Sequence, residues 1–127
     1  MTIYVSDVVA FLYYLLDKLP KNANKAFKKA EKGDASLYLP TIAAELYFLF
    51  EKKDWTKHWS ILKDEMKRYA SFNYYPFDRN VLDLFEETMA EEIHDKIIVS
   101  TTKLLKADAL ITKDEKLHEL REVNTLW

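Results

Sequence analysis

Short runs of strand-forming residues alternate with longer amphipathic segments from one end of the chain to the other. β-Branched and aromatic residues favour strands, whereas apolar residues that recur every three or four positions favour helices. Strands that alternate with helices build a parallel sheet that helices cover on both faces. We therefore expect an α/β three-layer sandwich, in which a short parallel sheet of four to five strands is flanked by helices.

The same pattern assigns the individual elements. Gly33, the only glycine, follows the second helix, where a left-handed C-cap is favoured by a residue without a side chain. We expect Thr41 to cap the third helix and Ile93 to face the core from a later one. The expected strands are 3–5, 36–39, 73–77, 109–112 and 123–127, and the expected helices are 8–18, 91–106, 113–121 and those that begin near positions 20, 41, 55 and 78.

Length and composition exclude several classes of protein. A chain of 127 residues that is 49% hydrophobic fits one domain over 1–127. The absence of cysteine excludes disulfides and thiolate chemistry, and a single glycine excludes glycine-rich phosphate loops. The longest apolar run, 8–16, has nine residues, whereas a membrane span needs about 20, so we expect a cytoplasmic protein. A net charge of −2 excludes coating of nucleic acid by bulk charge.

Four acidic residues come from four segments that share one edge of the expected sheet. Asp7 follows the first strand, and Asp114 follows the fourth with Lys113 between. Asp95 lies near the start of the helix 91–106, and Glu45 lies about one turn into the helix after the second strand. Helix starts and strand ends meet at the same edge of a parallel sheet, where ligands bind. Taken singly, each aspartate is also typical of an ordinary helix cap.

Carboxylates that converge repel one another unless a cation lies among them. Mg²⁺ and Mn²⁺ prefer carboxylate and water oxygens, so a hard divalent cation is the expected occupant. A site of this kind suits the metal-assisted hydrolysis of a phosphodiester.

The ordered set of acidic segments resembles the PIN-domain family, the metal-dependent nucleases that include VapC-like toxins. The resemblance covers essentially the whole chain, and the four acids are 38, 50 and 19 residues apart. The segments that carry it are Ile3-Tyr4-Val5-Ser6-Asp7, Leu39-Pro40-Thr41-Ile42-Ala43-Ala44-Glu45, Glu92-Ile93-His94-Asp95 and Ala109-Leu110-Ile111-Thr112-Lys113-Asp114.

The resemblance implies a Mg²⁺- or Mn²⁺-dependent endoribonuclease that acts on single-stranded RNA. It implies that Asp7, Glu45, Asp95 and Asp114 bind the metal and carry catalysis, and that Thr112 hydrogen-bonds within the site. It also raises the alternative that the chain is the toxin of a toxin–antitoxin pair, with an antitoxin protein as its partner.

One departure from the family pattern supports a different function. The family often has a hydroxyl residue one or two positions after the first aspartate, where this chain has Val8 and Val9, and Ser6 precedes Asp7 instead. The alternative is a non-catalytic PIN-like binding or scaffold module, in which the acids are caps and surface charge. A metal titration separates the two functions, because a scaffold gains no stability from divalent ions.

Three weaker features have both a functional and a structural interpretation. His94, beside Asp95, is a candidate ligand or proton carrier, although a histidine at such a position is more often an ordinary helix-surface or capping residue. The aromatic residues exceed what a small core needs, which predicts a homodimer interface or a groove for a partner, although core packing also explains them. A lysine stripe on the second helix either holds RNA phosphates or is a solvated face; it consists of Lys18, Lys21, Lys25, Lys28 and Lys32.

Overall fold

The fold is a five-stranded parallel sheet, seen in a computed structural model that describes residues 1–127. The strands are β1 (Thr2–Ser6), β2 (Ala35–Pro40), β3 (Phe72–Tyr75), β4 (Ala109–Ile111) and β5 (Thr125–Leu126). Their order across the sheet is β3-β2-β1-β4-β5, and every neighbouring pair is parallel. In the central strand, Val5 pairs with Tyr38 of β2 and with Leu110 of β4. The expected α/β class and parallel sheet are confirmed.

Seven helices connect and cover the strands. A 3-10 turn at Thr41–Ala44 precedes the third of them, and a second turn at Phe85–Glu87 follows the fifth. No helix is both long enough and apolar enough to cross a membrane. The helices are α1 (Val8–Leu15), α2 (Lys21–Glu31), α3 (Glu45–Lys52), α4 (Thr56–Arg68), α5 (Arg79–Leu82), α6 (Ile93–Leu104) and α7 (Glu115–Leu120).

Two hydrophobic clusters form the core. The larger cluster joins α1 to α4 with β2 and β3, and the fully buried rings of Phe11, Phe27 and Phe50 belong to it. The smaller cluster joins β1 and β4 with α6 and α7 through Val5, Val99 and other buried residues. Apolar side chains of the two clusters cover the faces of the central strands β1, β2 and β4, as is usual for parallel strands.

Several element boundaries differ from the expected ones for local reasons. Helix α1 ends at Leu15 rather than at 18, because Asp17 has a left-handed backbone (φ 56°) and the Lys18 N–H donates to the Tyr13 carbonyl across 2.9 Å. Gly33 has the expected left-handed conformation, with φ 82°. Strand β5 is confined to two residues of the expected 123–127, and α6 and α7 are also shorter than expected.

Two expected side-chain roles were wrong. Thr41 does not cap α3, because a 3-10 turn intervenes and the Thr41 hydroxyl accepts a hydrogen bond from the Phe77 N–H instead (3.3 Å). Ile93 is 52% exposed rather than inward, because α6 begins at this residue and its core-facing side chains start in the next turn, with Ile97 and Ile98.

A partly buried ion pair fixes the loop that leads into α6. The Glu122 carboxylate accepts hydrogen bonds from the Lys103 Nζ (2.6 Å), the Met89 N–H (2.9 Å) and the Thr88 hydroxyl (3.2 Å). Burial alone raises the pKa of Glu122, but hydrogen bonds from Lys103 and Met89 outweigh it, so the pKa is lower than its usual 4.5. The charged carboxylate therefore stabilises the folded chain and positions α6.

We predict that Glu122→Gln lowers the free energy of unfolding by about 1–3 kcal/mol at pH 7, because three hydrogen bonds lose a charged acceptor. A lowered folded pKa gives stability that is fully present at neutral pH and is lost as the pH falls below about 4.5 through the folded pKa. Urea denaturation at pH 7 and at acidic pH checks both parts. Glu119→Gln, at an exposed position of α7, is the control, and equal stabilities of the two variants at pH 7 would contradict the prediction.

Candidate active site

The strand order reverses between β1 and β4. From β1 the chain proceeds outward to β2 and β3, and then returns past β1 to form β4 and β5 on the other side. In open α/β sheets the crevice at such a reversal binds ligands at the carboxyl ends of the strands. A cavity of about 560 Å³ opens at this position. Its walls contain Asp7, Val8, Val9, Ile42, Glu45, Leu46, Leu49, Glu92, His94, Asp95, Ile98, Lys113 and Asp114.

Asp7 is the most firmly held of the acids. It is only 6% exposed, and its N–H donates to the Ile111 carbonyl of β4 (3.1 Å). One carboxylate oxygen, Oδ1, caps α1 by accepting from the Ala10 N–H across 2.7 Å. The other, Oδ2, accepts a hydrogen bond from the Thr112 hydroxyl. Asp7 is therefore both a helix cap and a wall of the cavity, so the structural and functional interpretations of this residue coexist.

Thr112 joins the two strand ends. Its hydroxyl donates to Asp7 and accepts from the Asp114 N–H across 3.0 Å. Asp114 in turn caps α7, where Oδ1 accepts from the Lys116 N–H across 2.9 Å. The Ser6 hydroxyl points away from this carboxylate and donates to the Asp7 carbonyl (2.9 Å). The hydroxyl that contacts the Asp7 carboxylate thus comes from the end of β4, and neither Val8 nor Val9 is needed for that contact.

Burial and mutual repulsion raise the pKa values of two acids in the cavity, Asp7 and Asp95. The pKa of Asp7 is raised by burial, and the charges of Asp114 and Asp95 raise it further against the lowering effect of the Thr112 and Ala10 hydrogen bonds. The pKa of Asp95 is raised by burial, then by Asp114 and Glu92. Three carboxylates from three elements therefore interact across one cavity.

Glu45 also lines the cavity and contacts a histidine. Its side chain is 48% exposed, and Oε2 lies 3.4 Å from the His94 Nε2. The other ring nitrogen, Nδ1, lies 3.2 Å from the Glu92 Oε1. His94 is thus placed between two carboxylates at the mouth of the cavity, and it lowers the pKa of neighbouring Asp95. The structure brings Glu45 to the cavity but directs its carboxylate toward His94.

The acidic side chains of the cavity have the oxygen donors that a hard divalent cation prefers, but they are not close enough together to bind one as they stand. No group of three or more His, Asp or Glu side chains converges closely enough to hold a metal ion. The donors around the cavity are nevertheless carboxylate oxygens, which Mg²⁺ and Mn²⁺ prefer. A cation among Asp7, Asp95 and Asp114 would also relieve the repulsion and burial that raise the pKa values of Asp7 and Asp95.

All four acids selected from the sequence line this one cavity, and Thr112 contacts the first of them. Their roles as metal ligands stay a prediction. Sequence reasoning missed Lys113, the one lysine in the cavity wall. Its position between β4 and Asp114 was the available signal. It also gave His94 too little weight, because no sequence pattern indicates that this side chain lies across from Glu45.

Three solved structures show the same fold over nearly the whole chain. The first, VapBC2 from Rickettsia felis bound to a DNA fragment from its promoter, matches with a TM-score of 0.76 at 17% identity, over 98% of this chain and 97% of that one. DNA-bound VapBC from Salmonella typhimurium gives 0.71 at 12% identity, over 98% and 97%. FitAcB from Neisseria gonorrhoeae gives 0.67 at 17% identity, over 96% and 95%.

These likenesses confirm the PIN-like fold that the sequence predicts. No family model and no curated protein matches the sequence. At such low identity the fold is shared, whereas the chemistry has to be argued from the site itself.

We predict that Asp7→Asn stabilises the metal-free protein at pH 7 by about 1 kcal/mol, the scale of a typical single substitution. A raised folded pKa means that the buried charge costs stability at neutral pH, and the cost disappears as the pH falls toward the usual 3.8. Asparagine is an equally good helix cap and removes the repulsion. Thermal unfolding in EDTA at pH 7 and pH 4 measures the gain, which should shrink at pH 4. Asp64→Asn, at an exposed position of α4, is the control, and a destabilised Asp7→Asn protein would overturn this account.

Proposed function

We propose that this chain is a divalent-metal-dependent endoribonuclease that hydrolyses phosphodiester bonds of single-stranded RNA. The observation that supports the proposal best is the set of interacting carboxylates Asp7, Asp95 and Asp114 at the strand-order reversal of a PIN-like sheet. Such an arrangement costs folding stability unless a cation completes it. Natural proteins keep costs of this kind mainly at functional sites.

In this proposal Asp7, Glu45, Asp95 and Asp114 hold Mg²⁺ or Mn²⁺. Such an ion supplies, when bound, an activated water and stabilisation of the charge that develops around phosphorus. The choice of these ions rests on the oxygen donors, and the choice of RNA rests on the resemblance to the PIN-domain family.

The protein side chains prepare the site in three ways. The Ala10 N–H and the Thr112 hydroxyl fix the orientation of the Asp7 carboxylate, so little ordering remains when substrate arrives. Lys113, exposed in the cavity wall, can pair with a substrate phosphate and offset the negative charge of the acids. The apolar residues of the wall, such as Ile42 and Leu49, limit the access of water to one side of the cavity.

The role that we propose in the cell is that of a toxin held by an antitoxin protein. The solved structures of similar fold are described as VapBC or FitAcB assemblies, some of them on DNA. A surface of exposed apolar residues on α3 and α4 supports a protein partner or a homodimer; it includes Tyr47, Phe48 and Ile61, which are 42%, 68% and 40% exposed. We propose a cytoplasmic location as part of this role, since a toxin of this kind would act on RNA there.

A non-catalytic PIN-like module is the second candidate. The direction of the Glu45 carboxylate toward His94, rather than toward the aspartates, favours it. The absence of a converged ligand group favours it as well. The two candidates differ in what divalent ions do to the protein, which makes them separable by experiment.

We predict that the parent protein cleaves a mixed single-stranded RNA pool with Mn²⁺ or Mg²⁺ and not with EDTA. Asp7→Asn and Asp95→Asn should each lower the cleavage rate by roughly 100-fold or more, as expected when a charged group of an active site is lost. Gel analysis of end-labelled RNA gives the rates. Asp64→Asn is the matched control, since it removes one carboxylate from an exposed part of α4 and should cleave at the parent rate.

Two results would contradict the nuclease. Equal cleavage by the parent and by Asp7→Asn would mean that another site or another protein cuts the RNA. Cleavage that persists in EDTA would exclude the metal.

We also predict that Mn²⁺ stabilises the parent protein. A ligand present at about 100 times its Kd raises the free energy of unfolding by about 2.7 kcal/mol. Glu45→Gln should weaken this stabilisation, whereas Glu51→Gln, an exposed position on the same helix, should not. Differential scanning calorimetry with Mn²⁺ and with Ca²⁺ measures the effect. A parent protein that gains nothing from any divalent ion would favour the non-catalytic module.

A further inference from the structure

A basic groove lies apart from the acidic cavity, between α2 and the edge strand β5. It has a volume of about 550 Å³. Lys25, Lys29 and Asn22 of α2 form one side, and Trp127, which follows β5, forms part of the other. No aspartate or glutamate lines the groove. In a chain of net charge −2, this is a local concentration of positive charge.

The two lysines of the groove are available for a ligand. Both are exposed, and neither belongs to any ion pair of the structure. Lys28, one residue before Lys29, does pair with Glu31 (3.2 Å) and therefore differs from them. Lys29 makes only one exposed hydrogen bond, to the Thr2 hydroxyl (3.2 Å). Of the lysine stripe expected from the sequence, Lys28 is therefore paired with an acid and Lys25 faces the groove without one, and Lys29, which is not part of that stripe, joins Lys25 there.

A row of cationic and aromatic side chains connects the groove to the acidic cavity. Lys113, in the cavity wall, donates a hydrogen bond to the Tyr13 hydroxyl (2.8 Å) and lies 5.0 Å from the centre of that ring. Tyr13 packs edge to face against Trp127, with ring centroids 5.6 Å apart. Trp127 then borders Lys25 and Lys29 in the groove. Each member touches or adjoins the next.

We propose that this row, from Lys113 through Tyr13 and Trp127 to Lys25 and Lys29, binds a single strand of RNA that extends out of the acidic cavity. Lysines bind phosphates, and half-buried aromatic rings give unpaired bases a surface for stacking. The two rings lie between Lys113 and the pair of groove lysines, so bases can stack in the middle of the row while phosphates bind at its two ends. A base-paired strand cannot use the rings, and an acidic peptide has no bases to place on them.

The inference rests on the proposed function for its substrate, yet it concerns binding and not cleavage. It can therefore be tested without metal. The row keeps negative phosphates on lysines outside the acidic cavity, so it supplies attraction where the carboxylates of the cavity repel RNA.

The test is fluorescence anisotropy of a labelled, unstructured 20-nucleotide RNA in EDTA, which prevents metal-dependent cleavage. The variant Lys25→Gln/Lys29→Gln should bind about fivefold or more weakly than the parent. Its slope of log affinity against log salt should be smaller by about 1.4, because each lost phosphate contact removes about 0.7 for a single strand. The control Lys63→Gln/Lys67→Gln removes two exposed lysines with the same spacing from α4 and should bind like the parent.

The aromatic member is tested by a pair of substitutions. Trp127→Ala should weaken RNA binding by about fivefold or more, and Trp127→Phe should restore much of it, because any aromatic ring can stack on a base. The recovery separates stacking from a general loss of structure, and circular dichroism of both variants shows whether they are folded. A four-nucleotide RNA, too short to occupy the whole row, should distinguish the parent from the lysine variant less than the 20-nucleotide RNA does.

Three outcomes would overturn the inference: equal binding by the two lysine variants, competition by poly-glutamate or double-stranded RNA as effective as competition by single-stranded RNA, or no RNA binding by the parent. Binding that weakens as expected, in a protein that cleaves no RNA with Mn²⁺, keeps the row and rejects the nuclease. If cleavage depends on Asp7 but the two lysine variants bind RNA equally well, the nuclease proposal stands and the row is rejected.

Discussion

The arrangement of the site depends on the two hydrogen bonds that the Asp7 carboxylate accepts. Its two oxygens accept from the Ala10 N–H and the Thr112 hydroxyl, and so join the end of β1 to the start of α1 and the end of β4. These are the two strands between which the sheet order reverses. The same carboxylate is buried beside two other acids, and both effects raise its pKa. The fold buries the Asp7 carboxylate, where water solvates its charge poorly, and the hydrogen bonds to the charged form offset part of that cost.

Charge is separated across the surface in a way that net charge does not show. The carboxylates gather at the carboxyl edge of the sheet, whereas the uncompensated lysines Lys25 and Lys29 face a groove on the α2 side. Lys113 lies between the two regions and borders both the cavity and Tyr13. A chain with almost equal numbers of acids and bases can therefore present a strongly acidic site and a basic approach to it.

The local sequence predicted strands and helices correctly where the apolar residues recur with a single period, but it predicted poorly where those elements begin and end. The apolar run around Val5 and the helical spacing of Ala23, Phe27 and Ala30 gave correct elements, because these side chains are buried in the core. The end of α1 depended on the left-handed backbone of Asp17, a residue type that also occurs in ordinary helices. The role of Thr41 depended on where the distant Phe77 N–H lies, and no local pattern contains that contact.

The sequence by itself determined the alternation of strands and helices, and with it a parallel sheet whose edge collects Asp7, Glu45, Asp95 and Asp114, since side chains that follow parallel strands meet at one end. Only the tertiary structure decided which acids interact, that Glu45 faces His94, and that Lys113, Tyr13 and Trp127 form a row. The reason is physical: periodicity fixes which face of an element is buried, whereas contacts between residues of different elements depend on how those elements pack.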